Sequence, residues 1–158
     1  MNLLKPRRQQ HRFVIGNLMK DIVDENKSLE QLENDFWKDD SDYPTGLVEK
    51  CYRYREIALK ELTIEQMRLL IGQNIGLKYL IPKALKILGT NILAEGDCYE
   101  GDLLSMVLNA EDNFWNENKN LRIAIKNLIT GRRQEIESKN EENIHRQLLK
   151  QIDRFNEK

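Results

Sequence analysis

Hydrophobic side chains recur along this chain at the three- and four-residue spacing of amphipathic helices, and no stretch alternates convincingly between apolar and polar residues as a half-buried strand does. The broadest apolar stripe predicts a central helix and comprises Leu77, Leu80, Ile81, Ala84, Leu85, Leu88 and Ile92. Pro82 lies inside this stripe, where a helix tolerates it only in the first turn or at a kink. The pattern predicts an all-α fold of six to eight helices in one compact unit.

Polar residues mark several of the predicted helix starts. Ser28 begins a short helix that we expect to end near residues 36–37, and Thr45 can cap the helix that follows a loop at residues 38–45. Thr63 and Gln66 have the spacing of a capping box, in which each side chain bonds the other residue's backbone N–H. A further loop at residues 96–101 leads into a helix for which Asp102 is a suitable cap.

The two ends of the chain also follow helical spacing. Apolar positions between Phe13 and Asp24 fit one helix face, and a long stripe runs from Leu121 through Ile136 to Phe155. We favour two helices over one very long helix for this last stripe, and so predict an extended C-terminal helical segment. Because its final turns carry few large apolar residues, we expect them to project or to pack weakly.

The composition is that of a globular domain. The chain has 158 residues, of which 40% are hydrophobic and 32% charged, and no apolar run approaches the ~18 residues that a membrane span needs. The first residues lack the apolar core of a secretory signal. We therefore expect a cytoplasmic protein without a membrane partner, in which Cys51 and Cys98 are reduced, partly buried thiols.

Catalytic and metal-binding chemistry has little support in the sequence. His11 and His145 are the two histidines, and the chain contains no phosphate-binding loop, dinucleotide fingerprint, nucleophile elbow or zinc-protease motif. Glu142 and His145 have the spacing of di-iron bundles, but the second pair and the further glutamates that such a site requires are missing. We predict a protein that is not an enzyme and that has no catalytic residue, metal site or cofactor.

Charge is segregated along the chain although it sums to −1. The first acidic segment, residues 21–49, has ten acids and two bases, and the second acidic segment, residues 93–117, has seven acids and no base. Basic helices elsewhere could neutralise these segments, or they could form a solvated face. Alternatively, they form a docking surface for a basic partner, with tryptophans as anchors. Of the neighbouring phenylalanines, we expect Phe36 and Phe114 in the core.

Two stretches are more distinctive than periodicity alone: LLIGQNIGL at residues 69–77 and LAEGDCYEGDLL at residues 93–104. Together with residues 29–33 and 114–115 they resemble the immunity proteins of bacterial contact-dependent growth inhibition (CDI) systems. The chain departs from that family in its basic lead, in Cys98 at a place where an aromatic residue is expected, and in its charged tail. We expect the motif glycines and Asp102 to shape the scaffold rather than to select a partner.

The resemblance implies a single helical immunity-type domain over residues 1–158. It consists of a basic N-terminal lead at 1–28, a family-like core at 29–116 and C-terminal helices at 117–158. Such a protein binds the toxic C-terminal domain of a delivered effector, and many of these toxins are nucleases. Acidic loops could then cover a phosphate-binding surface of the toxin. The candidate toxin contacts are Trp37, Asp39, Asp40, Asp42, Glu95, Asp97, Glu100, Glu111, Asp112 and Trp115.

Two other functions are compatible with the pattern. Residues 63–85 loosely resemble a helix-turn-helix whose second helix carries Lys78, Lys83 and Lys86, as in a DNA-binding regulator. Pro82 inside that helix, and its lack of the arginine and amide side chains that read bases, argue against nucleic acid as a partner. A helical adaptor for an unrelated protein is the other alternative. The sequence does not indicate an oligomeric state.

Overall fold

The computed structural model describes residues 23–38, 42–139 and 145–158, and these form eight α-helices and one 3₁₀ turn. The helices are α1 (Leu29–Glu33), α2 (Gly46–Arg55), α3 (Ile64–Gly72), α4 (Leu77–Thr90), α5 (Asp102–Leu108), α6 (Asp112–Glu117), α7 (Lys119–Ser138) and α8 (Arg146–Glu157). The predicted all-α fold is confirmed. The predicted helix at 13–24 lies outside the described residues except at Val23 and Asp24, which are not helical.

Hydroxyl residues start three of the helices, as the sequence indicated. The backbone N–H of Gln66 donates to Thr63 Oγ1 over 3.2 Å, and the N–H of Thr63 donates to Gln66 Oε1 over 2.9 Å, which completes the capping box. Ser28 forms the same arrangement with Gln31, and Thr45 accepts from the N–H of Val48. These caps satisfy N–H groups that have no partner inside a helix.

Helix α4 is the central helix, and the face predicted for it is buried: Leu77, Leu80, Ile81, Ala84, Leu85 and Leu88. Pro82 is the sixth residue of α4, so it lies beyond the first turn. Its missing N–H removes the helical hydrogen bond to the carbonyl of Lys78. The apolar burial along the rest of α4 outweighs that local loss.

Helices α3 and α5 pack side by side and run in the same direction. Arg68 on α3 lies beside Asp102 at the start of α5, and Gly72 at the end of α3 lies beside Met106. A Cβ atom at Gly72 would lie 3.0 Å from Met106 Sδ, so this glycine permits the close approach. As a result, the loop before α5 and the loop after it lie at opposite ends of α3.

The C-terminal stripe forms two helices, as predicted, and residues 140–144 between them lie outside the described residues. The expectation that the last turns project or pack weakly is wrong. Leu148, Ile152 and Phe155 of α8 are buried, and the ring of Phe155 lies 5.2 Å from that of Trp115. Three apolar residues at helical spacing are enough to pack a short helix against the core when other elements provide an apolar surface for them.

Candidate functional site

Asp102 organises the loop between α4 and α5, which we call the motif loop (residues 94–101). Its carboxylate is fully buried and accepts hydrogen bonds from the backbone N–H groups of Gly96 (2.7 Å) and Cys98 (3.1 Å). Asp102 is the first residue of α5, and Gly101 is the N-cap residue with φ +89°. The expectation of Asp102 as the helix cap is therefore corrected: Asp102 is the first residue of the helix, and its side chain bonds the preceding loop rather than the first turn.

An ion pair on α3 holds the motif loop from the other side. Arg68 donates to both carboxylate oxygens of Glu65, over 2.6 and 2.7 Å, and lies 3.5 Å from Asp102. Glu65 also accepts from the backbone N–H of Asp97 over 2.9 Å. Hydrogen bonding from Arg68 lowers the pKa of Glu65, and Glu65 in turn raises the pKa of Arg68. The loop is thus clamped between α3 and α5, in agreement with a scaffold role for the motif.

The outer side of the motif loop presents charge to solvent. Glu95 and Asp97 are exposed, and no cation in the part of the chain that the structure describes lies within ion-pair distance of either. Tyr99 is 47% exposed. Cys98 is also exposed, which corrects the expectation of a partly buried thiol there, whereas Cys51 is buried and burial raises its pKa. The loop therefore offers two acids, one aromatic ring and one thiol.

Two other candidate acids are engaged with the C-terminal part of the fold. Glu100 lies 3.3 Å from His145 Nε2 and 3.6 Å from Lys139 Nζ. Asp112 accepts from Lys158 Nζ over 2.7 and 2.9 Å. Because both acids form contacts inside the fold, a partner would have to compete with those contacts.

The start of α6 separates an exposed acid from a buried ring. Glu111 is exposed, and its backbone N–H donates to Asn74 Oδ1 over 3.0 Å. Trp115 is only 1% exposed and packs between Phe114 and Phe155. Burial of Phe114 was predicted, but Trp115 does not offer a partner its ring. The expectation of Trp115 as an anchor is therefore corrected.

An aromatic platform joins the first acidic segment to α2; it consists of Trp37 and Tyr43 of the segment, Tyr52 of α2, and Phe36, which precedes Trp37 in the chain. The ring of Tyr52 meets that of Trp37 at 4.8 Å and that of Tyr43 at 5.0 Å, in both cases edge to face. Phe36 is 60% exposed, so the prediction that it belongs to the core is wrong. Asp42 lies next to Tyr43 and is exposed, while Asp39 and Asp40 lie outside the described residues.

Arg55, at the end of α2, supports this platform from below and was not identified from the sequence. It is buried, and its guanidinium donates to Glu33 Oε2 and to the carbonyl of Asp35, each over 2.6 Å. The guanidinium carbon also lies 4.0 Å from the ring centroid of Trp37. Nothing near Arg55 in sequence distinguishes it from Arg53, because the groups that bury it are 18 to 22 positions away.

Folding pairs some acids of the two acidic segments with cations and leaves others unpaired. Several acids are neutralised by cations elsewhere in the fold: Glu25, Glu33, Asp35, Glu49, Glu100, Asp102 and Asp112. Others have no cation within ion-pair distance among the described residues: Asp24, Glu30, Asp42, Glu95, Asp97, Glu111 and Glu117. Of these, Asp42 is exposed beside the aromatic platform, and Glu95, Asp97 and Glu111 are exposed near the ends of α5.

The basic face of the helix-turn-helix alternative is largely occupied. Lys83 Nζ lies 3.0 Å and Lys86 Nζ 3.6 Å from the carboxylate of Glu25, and these contacts lower the pKa of Glu25. A groove of about 740 Å³ runs beside them and is lined by residues of both charges, including Lys78 and Glu117. Lysines already paired with a carboxylate attract phosphates weakly, so this face does not favour nucleic acid.

Neither a metal-binding cluster nor a membrane-spanning helix is found within the described ranges 23–38, 42–139 and 145–158. These ranges contain no group of three or more His, Cys, Asp or Glu side chains placed to hold a metal ion. None of their helices combines the length and the apolar character needed to cross a membrane.

Comparison with known protein families identifies a relationship over the middle of the chain. The model of a family described as CDI immunity proteins matches residues 31–125, which is more than half of the chain. The matched range includes the aromatic platform, the motif loop and the Glu65–Arg68–Asp102 cluster. No curated protein and no solved structure matches the chain.

Proposed function

The chain belongs to the family of CDI immunity proteins, and from this premise we propose that it binds the toxic C-terminal domain of one CDI effector and neutralises it as a stoichiometric complex. The observation that carries the proposal is the family match over residues 31–125. The protein would act by binding rather than by catalysis, in the cytoplasm, where an incoming toxin meets its targets.

The proposed toxin is a nuclease whose active surface the immunity protein covers. Enzymes that act on nucleic acids present basic surfaces to phosphates. The exposed acids Asp42, Glu95, Asp97 and Glu111 supply the opposite charge. Such complementarity accelerates encounter and discriminates against wrong partners. Protection against a lethal enzyme requires nanomolar affinity, on the order of −12 kcal/mol, so buried apolar contacts must contribute as well.

The proposed contacts fall into two groups. One surrounds the aromatic platform and includes Trp37, Asp42 and the neighbouring Asp39 and Asp40. The other surrounds the ends of α5 and includes the following: Glu95, Asp97, Glu100, Glu111 and Asp112. Glu100 and Asp112 are weaker candidates because each already has a cation partner in the fold. Trp115 is left out because its ring is buried.

The test is inhibition of the purified toxin domain of the effector encoded next to this chain. We expect the protein to abolish nuclease activity at a one-to-one molar ratio and to co-elute with the toxin domain as one complex. Full toxin activity in the presence of excess folded protein would contradict the proposal. If the protein inhibits a toxin domain that has no nuclease activity, the proposed immunity function stands and only the proposal that the toxin is a nuclease is wrong.

A further inference from the structure

We propose that the aromatic platform is the principal docking site for the toxin domain and that it receives an arginine-bearing basic surface of that partner. The inference rests on the proposed function and adds to it the place of contact and the chemistry of the occupant. Four observations lead to it. Apolar side chains are exposed at the platform, and Arg55 holds the platform in place. The segment around the platform is acidic, and Arg55 already stacks on one of the platform rings.

The first observation is an unusual exposure of apolar surface at the platform. Phe36, which precedes Trp37 in the chain, is 60% exposed, and Leu47, on the same helix α2 as Tyr52, is 37% exposed. The other large hydrophobic side chains exposed in the described residues, Tyr99 and Ile123, lie on separate elements. Interface centres are enriched in tryptophan, tyrosine and phenylalanine, and these anchors contribute most of the binding free energy.

The second observation is that the platform is held in place before any partner arrives. Arg55 binds Glu33 and the carbonyl of Asp35, and Trp37 Nε1 donates to Asp35 Oδ2 over 3.0 Å. The guanidinium of Arg55 also covers one side of the Trp37 ring. Arg55 is therefore a positioning residue for the platform. A surface ordered in advance loses less conformational entropy on binding, which raises affinity.

The third observation is the charge of the segment. Between Glu33 and Glu49 the sequence contains six carboxylates and one lysine, and three of those carboxylates (Glu33, Asp35 and Glu49) pair with Arg55 or Arg53 of α2. A concave surface of about 500 Å³ lies beside Tyr43 and is lined by the following residues: Asp42, Pro44, Thr45, Gly46, Glu49 and Arg53. Arg53 bonds Glu49 on the exposed surface of α2, whereas Asp42 at the edge of this concave surface has no cation within ion-pair distance among the described residues. A cationic side chain of the partner can therefore bind at Asp42.

The fourth observation favours arginine over lysine as the occupant. The chain's own Arg55 stacks on Trp37 and forms hydrogen bonds with a carboxylate and a carbonyl at the same time. A guanidinium is flat, carries a fork of donors and stacks on aromatic rings, whereas an ammonium is a compact, strongly hydrated point charge. The half-buried ring of Tyr52 and the exposed carboxylate of Asp42 offer the same combination to an arginine from outside.

The experiment measures the dissociation constant of the toxin domain for four single variants of the full chain. Phe36→Ala and Tyr52→Ala remove platform rings, Tyr99→Ala removes an exposed ring in the second group of proposed contacts, and Ile123→Ala on α7 is the control outside both groups. We expect each platform variant to weaken binding about tenfold or more and more than Tyr99→Ala does, and the Ile123→Ala control to change it less than about threefold. Phe36 is the decisive position, because its exposure makes an effect on folding small; equal melting temperatures verify this.

A kinetic experiment tests the chemistry of the occupant. Asp42→Asn should slow association with the toxin domain severalfold at low salt and reduce the dependence of the association rate on salt, while Glu157→Gln should leave both unchanged. Methylglyoxal treatment of the free toxin domain, which modifies arginine, should abolish binding, and treatment of the preformed complex should not. Binding that survives modification of the free toxin would overturn the assignment to arginine.

The outcomes separate this inference from the proposed function. If the unmodified protein binds and inhibits the toxin domain but Phe36→Ala and Tyr52→Ala bind as tightly as it does, the inference is wrong and the immunity function stands. If the unmodified protein neither binds nor inhibits, the proposed function is wrong and the inference falls with it.

Discussion

Asp102 is the residue on which the shape of the motif loop depends most directly. Its buried carboxylate accepts from two loop N–H groups and faces Arg68, so an amide in its place would turn one acceptor into a donor. We expect Asp102→Asn to lower the free energy of unfolding by about 2 kcal/mol, measured by denaturant titration. Asp97→Asn, the same change at an exposed position of the loop, should cost less than about 0.5 kcal/mol. Equal effects would contradict this role of Asp102.

Glu65 makes the stability that this cluster gives to the fold depend on pH. Arg68 lowers the pKa of Glu65 in the folded state, so the ionised form stabilises the fold. That contribution is complete above the pKa of an unfolded glutamate, about 4.3, and is lost as the pH falls through the lower folded value. The melting temperature of Glu65→Gln should therefore fall less between pH 7 and pH 3 than that of the unmodified protein. A parallel fall would show that Glu65 does not contribute.

At this scale, what the sequence predicts depends on how far apart the interacting residues are. The capping box of Thr63 can be predicted from the sequence because its partner is three positions away. The burial of Arg55 cannot, because it depends on Glu33 and Asp35, which are distant in the sequence. The two tryptophans lie in similarly acidic surroundings, yet Trp115 is covered by Phe155 from the far end of the chain, whereas Trp37 remains at the surface.

At the scale of elements, glycine decides how α3 and α4 are joined. Gly76 has φ +64°, and a Cβ atom there would lie 2.7 Å from both Leu29 Cδ atoms, so Gly76→Ala would meet strain and a clash with α1. We expect it to lower the free energy of unfolding by about 2 kcal/mol.

Gly46→Ala is the matched control for this change. Gly46 lies within α2 and a Cβ atom there meets nothing within 4 Å, so alanine should stabilise the protein by about 0.5 kcal/mol. Thermal or denaturant unfolding of both variants measures the difference. A neutral Gly76→Ala would show that the α3–α4 turn is not as tightly constrained as described.

Element boundaries were predicted less well than element types. The first helix was expected to end near residues 36–37, but Asn34 adopts a left-handed conformation with φ 52° and ends α1 at Glu33. That early end frees residues 35–37 to pass over Arg55 and places Phe36 at the surface. The long stripes of α4 and α7 were recognised because their periodicity extends over several turns, whereas the packing of α8 depended on surfaces supplied by other elements.

At the scale of the whole molecule, the acidic segments are visible in the sequence, but the sequence does not show which of their acids are paired with cations in the fold. Whether a carboxylate is neutralised depends on cations brought close by folding, as Lys158 is brought to Asp112 across 46 positions. The fold therefore divides the acids into those paired with a cation and those left unpaired, and the proposed interface draws mainly on exposed members of the second group. The family resemblance contributed the identity of the partner, which no pattern of periodicity or charge contains.

Survival of cells that produce the toxin domain tests the central claim most directly. The toxin domain of the adjacent effector is expressed from an inducible promoter, with and without this protein, and growth is followed after induction. The account predicts that cells with the protein continue to grow, that they contain the toxin domain in a one-to-one complex with it, and that cells without it stop. Growth arrest in cells that contain the folded protein in excess over the toxin would contradict the account.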